Sequence, residues 1–249
     1  MTFHTVWVFV VITYQTMVDE ADIHIDRQQT NRVNYIMKTE IISFYSDIDG
    51  TTYYSDCAKR LAAQLTALEI PHDIREKPSL GSYQRNCLSK PRFIYSLLEE
   101  KKRPIVWLDV DSIVLKLLDA FDIFEGNTDI ALACTNINVS MSAKASPIYF
   151  AYNEKVFEFL TAWIRLADEL DRSEKWFDHE ALLSIVSTFG SNMELSVKLM
   201  NSTFCTWPGQ ENESSIIVMG LSDAESKKIK LRELGFNEEQ IQWQSPGLK

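Results

Sequence analysis

The chain has 249 residues, 45% of them hydrophobic, which suits one large α/β domain and excludes a mostly disordered protein. Its formal net charge of -10 argues against a general nucleic-acid or anionic-membrane binder. The cysteines are far apart and form no CxxC pair, so we expect reduced, mostly buried thiols in a cytoplasmic protein.

The first 36 residues do not look like part of the folded domain. The apolar run Val6–Ile12 is too short to span a bilayer, no Lys or Arg precedes it, and residues 19–36 are polar without a pattern. We interpret residues 1–36 as a poorly ordered N-terminal extension, with Met37 as a candidate initiator. A weak membrane-surface anchor is the alternative, and no transmembrane segment is predicted.

Strand and helix patterns alternate from residue 40 onwards. The run Glu40–Tyr45 predicts a strand, and the polar turn Ser46–Tyr54 leads into a helix with Ser55 as its N-cap. A second strand is predicted at His72–Arg75, followed by a second helix that begins near Pro91. Each helix carries an apolar stripe, formed by Ala58, Leu61, Ala62, Leu65 and Leu68 in the first and by Phe93, Ile94, Leu97 and Leu98 in the second.

The next strand, Ile105–Leu108, is apolar throughout and ends in two aspartates, Asp109 and Asp111. Consecutive apolar residues predict a strand buried on both faces, as in the middle of a largely parallel sheet. In such sheets the carboxyl end of a strand opens onto the ligand crevice. Two carboxylates at that end therefore predict a site for Mg²⁺ or Mn²⁺ that carries the phosphates of a substrate.

The rest of the chain continues the α/β pattern. Strands are predicted at Asp129–Cys134, Ile148–Tyr152, Leu195–Met200 and Ile216–Met219, a long helix is capped by Asn153, and another helix begins near Asp178. The order of elements predicts a Rossmann-type α/β domain over residues 37–222, with a mixed, mainly parallel central sheet flanked by helices. A charged helical tail is predicted over residues 223–249.

Four segments of this chain together resemble nucleotide-diphospho-sugar glycosyltransferases of the GT-A fold, over roughly residues 40–220. They are the strand that ends in Asp109-Val110-Asp111, the segment Arg85–Ile94 with its Lys90-Pro91 helix start, the strand–helix unit Ser146–Trp163, and Asp178-His179-Glu180-Ala181-Leu182. The resemblance implies a single GT-A-like domain that moves a sugar from a nucleoside-diphosphate-sugar donor to a hydroxyl group of a glycan or small molecule.

The resemblance also implies roles on the donor side of the site. Asp111 would bind Mn²⁺ or Mg²⁺ directly, and Asp109 would contact the metal shell or the donor's ribose. Lys90 and Arg85 would hold the diphosphate or nucleotide, since both are cations suited to phosphate oxygens. The alternative is that Asp109 and Asp111 are solvated at a strand end and that both cations are ordinary surface residues.

Other residues would contact the nucleobase and the acceptor. Phe44, Tyr45 and Ser46 end the first strand, where the family has its nucleobase pocket, although a core position explains Phe44 almost as well. Asp178 would face the acceptor, either as the base of an inverting enzyme or as an orienting group in a retaining one. A helix N-cap explains Asp178 equally well, and His179 is more typical of a polar helix residue than of a ligand.

The chain departs from the family pattern at two places. Many relatives have a late metal-binding His in a His-Gly pair, whereas the corresponding segment here reads Val218-Met219-Gly220 and no His follows His179. The metal would then be held by fewer protein ligands, with water and diphosphate completing its coordination, or the enzyme would be weak or metal-independent. Pro147 stands where a small Gly often precedes the acceptor-side strand.

Three other function classes compete with this interpretation. The segment Asp47-Ile48-Asp49-Gly50-Thr51 resembles the opening motif of haloacid-dehalogenase-type phosphatases, in which the first Asp is the nucleophile. Such enzymes need a late acidic pair, and Leu221 occupies the expected position, so a polar turn suffices as an explanation. A catalytically inactive sugar-nucleotide-binding domain is a second alternative. A nucleotidyltransferase is disfavoured because residues 46–54 contain only one Gly.

Overall fold

A computed structural model describes residues 37–47, 52–116, 118–134, 143–171, 178–189 and 195–220. The predicted extension over residues 1–36 and the predicted tail over 223–249 lie outside the described residues. The same holds for residues 48–51, which include Asp49 of the phosphatase-like motif.

Eight strands occur in the described part of the chain, and six of them form the central sheet in the order β2-β1-β3-β6-β5-β7. β1 is parallel to β2 and β3, β5 is parallel to β7, and β6 is antiparallel to both β3 and β5. The predicted α/β class with a mixed, mainly parallel sheet is therefore confirmed. The strands are β1 (Glu40–Tyr45), β2 (His72–Glu76), β3 (Ile105–Trp107), β4 (Ile113–Val114), β5 (Ile130–Cys134), β6 (Ala143–Phe150), β7 (Val197–Met200) and β8 (Ile217–Val218).

Helices cover both faces of the sheet, and two of their starts follow the predicted signals. Pro91 lies in the first turn of its helix, and Asn153 caps another because its Oδ1 accepts the N–H of Val156 at 3.0 Å. None of the described helices is long and apolar enough to cross a bilayer. The helices are α1 (Tyr53–Ala67), α2 (Tyr83–Leu88), α3 (Lys90–Lys101), α4 (Glu154–Asp171) and α5 (Asp178–Phe189), with 3₁₀ turns at Asp119–Phe124 and Ser202–Phe204.

Burial on both faces makes β3 the centre of the domain. Val106 packs into an apolar layer with Leu61 and Leu65 of α1, whereas Trp107 packs on the opposite face with helices α3 and α4. Neighbouring residues of a strand point to opposite faces, so an all-apolar strand with helices on both sides is the expected result. The prediction that this strand is buried on both faces is confirmed.

The predicted N-cap of α1 is wrong. The helix begins at Tyr53, so Ser55 lies inside it. The carboxylate of Asp47 caps the helix instead, since its Oδ1 accepts the N–H groups of Tyr54 and Ser55, each at 3.0 Å. A carboxylate at a helix N-terminus satisfies unpaired donors and interacts favourably with the helix dipole.

The predicted start of the sixth strand is also wrong. β6 begins at Ala143, five residues before the predicted Ile148. Lys144, Ser146 and Pro147 interrupt the apolar pattern from which the strand was predicted. Pairing of Cys134 with Ala143 nevertheless extends β6 beyond the end of β3, and this extension brings the amino end of β6 to the edge of the sheet where β1 and β3 end.

An ion-pair network joins β1, β2 and α3 at the other end of the sheet. Lys101 Nζ contacts Glu40 Oε1 at 2.9 Å and Asp73 Oδ2 at 2.7 Å, and Arg75 Nη2 contacts Asp73 Oδ2 at 2.6 Å. The hydrogen bonds from Arg75 and Lys101, with Arg75 the larger cause, outweigh burial and lower the pKa of Asp73 to about 2.

We expect Asp73→Asn to lower the free energy of unfolding at neutral pH and to lose this effect in acid. The folded pKa of Asp73 lies below the unfolded value of about 3.9, so the stabilisation is present above the unfolded pKa and is lost as pH falls towards about 2. Urea unfolding of wild type and variant at several pH values would test this. A stability difference that stays constant down to the lowest pH would contradict it.

Candidate functional site

A cleft of about 360 Å³ opens where β1 and β3 end and β6 begins. Phe44 and Trp107 contribute aromatic surface to it, and Lys90, Asp109 and Asp178 contribute charge. The cleft is lined by seven of the eight side chains that the sequence suggested for the site: Phe44, Tyr45, Ser46, Lys90, Asp109, Asp111 and Asp178. The carboxyl ends of the parallel strands bring Phe44, Tyr45, Ser46, Asp109 and Asp111 to one edge of the sheet, and Lys90 and Asp178 reach it from the first residues of α3 and α5.

Asp109 directly follows the buried part of β3 and is held by its neighbours. Trp107 Nε1–H donates to its Oδ1 at 2.8 Å, and Lys90 Nζ lies 3.0 Å from the same oxygen. The backbone N–H of Asp109 donates to Ser146 Oγ on β6 at 2.9 Å. The orientation of this carboxylate is therefore set before any ligand arrives.

Lys90 bridges two carboxylates from different parts of the chain. Its ammonium group, on the first residue of α3, contacts Asp109 after β3 and forms an ion pair with Asp178 Oδ2 at the start of α5. It also donates to the carbonyl oxygen of Ala145 at 3.2 Å, and its side chain is only 5% exposed. The charge of Lys90 is thus already neutralised inside the protein.

The protonation equilibria of these groups reflect their burial and their charges. Burial lowers the pKa of Lys90, but the negative charges of Asp109 and Asp178 reverse this effect and raise it overall. Burial raises the pKa of Asp109 to about 6, Asp111 and Asp178 add to the rise, and Lys90 opposes it. Lys90 therefore stays charged at neutral pH.

Asp109 and Asp111 supply carboxylate oxygens, which are the ligands that a hard divalent cation prefers. The contacts from Trp107 and Lys90 both fall on Oδ1 of Asp109, so its Oδ2 is left for a ligand, and Asp111 lines the same cleft. No cluster of three or more His, Cys, Asp or Glu suited to a metal occurs in the part of the chain that the structure describes. Mg²⁺ tolerates such a site because water and phosphate oxygens complete its coordination.

The predicted nucleobase side of the cleft is only partly open. The ring of Phe44 packs against Phe93 and Trp107, with centroids 5.1 and 5.3 Å apart, and Lys77 Nζ lies 4.4 Å from its centroid. Ser46 Oγ donates to the carbonyl oxygen of Lys77 at 2.9 Å. Phe44 therefore has a packing role of its own, and its predicted contact with a base stays a prediction, as do those of Tyr45 and Ser46.

Arg85 does not line the cleft. Its Nε donates to Asp171 Oδ1 at 2.9 Å, and its side chain is 56% exposed beside α4. It lies on α2, one helix before Lys90, and its partner Asp171 is the last residue of α4. The structure thus does not bring Arg85 together with the other predicted residues.

Several residues of the cleft had no signal in the sequence. Tyr54 and Tyr83 face each other with centroids 6.3 Å apart at an interplanar angle of 17°. Across the cleft, Lys144 Nζ lies 5.5 Å from the ring centroid of Trp207. His179, which the sequence marked as a polar helix residue rather than a ligand, also lines the cleft, and its Nε2 donates to the carbonyl oxygen of Ala143 at 2.6 Å.

The cysteines differ in their access to the cleft. Cys87 on α2 is partly exposed and lines it, whereas Cys57, Cys134 and Cys205 are buried. All four thiols are free. Burial raises the pKa of Cys87, which keeps it protonated at neutral pH.

Comparisons with known proteins support the fold. No family model and no curated protein matches the chain. A crystal structure of a glycosyltransferase involved in the glycosylation of the major capsid of PBCV-1 is similar, with a TM-score of 0.58 and 12% identity over 79% of this chain and 99% of that one. The apo structure of the WbbM bifunctional glycosyltransferase matches with a TM-score of 0.44 and 13% identity over 72% of this chain and 41% of that one, too low to argue from. The chain therefore has the fold of a glycosyltransferase, as the resemblance implied.

Proposed function

We propose that this chain transfers a sugar from a nucleoside-diphosphate-sugar to a hydroxyl acceptor, a glycan or a small molecule, with the help of Mn²⁺ or Mg²⁺. The observation that carries the proposal is the pair Asp109 and Asp111 at the carboxyl end of β3, inside a cleft of a glycosyltransferase fold. Their oxygens would hold the metal, and the cleft would hold the donor.

The reaction breaks a bond between a sugar and a diphosphate, so negative charge grows on the departing diphosphate. A bound divalent ion supplies Lewis acidity there and stabilises that charge. Asp109 and Asp111 would contribute carboxylate oxygens to the ion, and Trp107 and Lys90 fix the orientation of Asp109 through its Oδ1. Such preorganised charge costs little reorganisation during the reaction.

Asp178 would serve the acceptor side. Its carboxylate lines the cleft and is paired with Lys90, so it can accept a hydrogen bond from an acceptor hydroxyl group. This role suits the base of an inverting enzyme as well as the orienting group of a retaining one.

The test is release of nucleoside diphosphate from a panel of nucleotide sugars, with Mn²⁺ and with a chelator. We expect one donor to be consumed slowly even without an acceptor, and consumption to stop when the metal is removed. Binding of a nucleotide sugar with no turnover under any condition would point to the inactive binding domain. Absence of any nucleotide response would refute the proposal.

The phosphatase alternative makes a separate prediction for Asp47→Ala. Because Asp47 caps α1, we expect the variant to lose about 1 kcal/mol of stability and to keep sugar transfer unchanged. Thermal denaturation and the donor assay measure the two quantities. Phosphomonoester hydrolysis by the wild type that disappears in Asp47→Ala would instead favour the phosphatase.

A cytoplasmic location remains part of the proposal. It rests on the four free thiols, three of them buried, which are typical of a reducing compartment. Rapid acid quenching of cells, followed by labelling of the unfolded protein with a thiol reagent, would show whether the thiols are reduced there.

A further inference from the structure

One wall of the cleft is formed by Lys144, Trp207 and Gly220. Lys144 lies on the part of β6 that extends beyond β3, and its ammonium group stands over the ring of Trp207, 5.5 Å from the centroid. Gly220 follows β8 and lies against the same ring. None of these residues had a role in the function suggested by the sequence.

The two lysines of the cleft differ in their ion pairing. Three carboxylates, those of Asp109, Asp111 and Asp178, line the cleft with two ammonium groups, those of Lys90 and Lys144. Lys90 is already paired with two of the carboxylates. Lys144 forms no ion pair with any carboxylate of the residues that the structure describes, so its charge is available to an anionic ligand.

The strand that carries Lys144 also contacts Asp109. β6 runs antiparallel to β3 with Trp107 opposite Ile148, and the N–H of Asp109 continues this alignment by donating to Ser146 Oγ. Lys144 is two residues from Ser146 on the same strand, and both residues line the cleft. The carbonyl oxygen of the neighbouring Ala143 accepts a hydrogen bond from His179 Nε2, and this bond links the start of β6 to α5.

The close approach of Trp207 requires a glycine at position 220. Gly220 has φ +76°, and a Cβ on it would lie 2.6 Å from Trp207 Cζ3, far inside van der Waals contact. An alanine there would displace the ring against which Lys144 lies. The absence of a side chain at Gly220 thus supports the position of the ammonium group.

We propose that Lys144, held against Trp207, binds a substrate oxyanion, namely the β-phosphate of the donor's diphosphate, which carries the sugar before transfer. This inference rests on the proposed function. A divalent ion at Asp109 and Asp111 would offset two of the three carboxylates, and Lys144 would add the charge that favours a diphosphate over a monophosphate. Lys144 therefore takes the role that the sequence suggested for Lys90, whose charge is neutralised internally.

The test compares binding of a nucleoside diphosphate and the matching nucleoside monophosphate, by calorimetry with and without Mn²⁺. For Lys144→Met we expect about tenfold weaker binding of the diphosphate and little change for the monophosphate, since one charge-assisted contact is lost. Lys144→Arg should retain the preference. Lys198→Met is the matched control, because Lys198 is an exposed lysine of β7 that contacts Asn127 and does not line the cleft.

The outcomes distinguish a failure of the proposed function from a failure of the role of Lys144. If the wild type binds no nucleotide even with Mn²⁺, the proposed function fails and the role of Lys144 falls with it. If the wild type prefers the diphosphate and Lys144→Met keeps that preference, only the role of Lys144 is overturned. Equally weaker binding of both nucleotides would also overturn the role of Lys144. A loss confined to turnover of an acceptor or sugar that bears a carboxylate would show that Lys144 contacts that carboxylate instead.

Gly220→Ala provides a second variant that leaves the lysine in place. We expect it to weaken diphosphate binding in the same selective way but less than Lys144→Met, because the displaced Trp207 no longer holds the ammonium group in position. An unchanged preference in Gly220→Ala would show that the ring does not position Lys144.

Discussion

Replacing Asp111 by asparagine is expected to abolish metal-dependent binding of a nucleoside diphosphate and to lower sugar transfer by about 100-fold or more. The neutral amide is a poor ligand for a hard cation, and Asp109 can offer only its Oδ2, because its Oδ1 is engaged by Trp107 and Lys90. Titration with Mn²⁺ in the presence of nucleotide, followed by the donor assay, measures both effects.

Asp119→Asn is the matched control for this change. Asp119 is an exposed carboxylate of the 3₁₀ turn after β4, so the same chemical change there should leave metal binding and turnover intact. Because Asp111 is largely buried, circular dichroism must show that its variant is folded. A folded Asp111→Asn protein with wild-type turnover would rule out a metal role for this carboxylate.

Replacing Lys90 by methionine is expected to destabilise the protein by about 3–5 kcal/mol, as is typical when one partner of a buried ion pair is removed. The change leaves the carboxylates of Asp109 and Asp178 close together without their shared cation. Protonation of Asp109, whose pKa burial raises to about 6, would relieve their repulsion. The loss of stability should therefore be largest at neutral to alkaline pH and should shrink in acid.

The double variant Lys90→Met, Asp178→Asn separates this effect from simple loss of packing. Removing the second charge should restore part of the stability, so the double variant should be more stable than the sum of the single changes indicates. Urea unfolding of the four proteins gives the coupling energy. Additive effects would mean that Lys90 stabilises the domain through its aliphatic stem and its bond to Ala145 rather than through the carboxylates.

The parts of the fold that could be predicted are those in which local pattern and tertiary environment agree. β1 was predicted with its observed bounds, and Pro91 and Asn153 marked helix starts because their chemistry acts within one turn. α2 has six residues and β4 has two, too few for a periodic signal, whereas β8 lies inside the strand predicted at Ile216–Met219. The start of β6 depends on its pairing with β5, which no local pattern shows.

The residues of the site likewise include some that could be predicted from local pattern and some that could not. Asp109 and Asp111 could be located because the carboxyl end of a buried parallel strand is a general place for ligands. The pairing of Lys90 with Asp178 could not be foreseen, since it requires the first residues of α3 and α5 to meet beside β3. Trp207 comes from an irregular segment before β8, where neither helix nor strand periodicity gives any indication of burial.

Of the three tryptophans in the described residues, Trp107 and Trp207 line the cleft. The third, Trp163, is buried on the face of α4 that is turned away from solvent. Indole emission depends on the charges and dipoles around the ring. Trp107 donates to the carboxylate proposed to contact the metal, and Trp207 lies beneath the ammonium group proposed to contact a phosphate. The intrinsic fluorescence of the unlabelled protein should therefore report separately on the two halves of a bound ligand, once each indole is replaced in turn by phenylalanine.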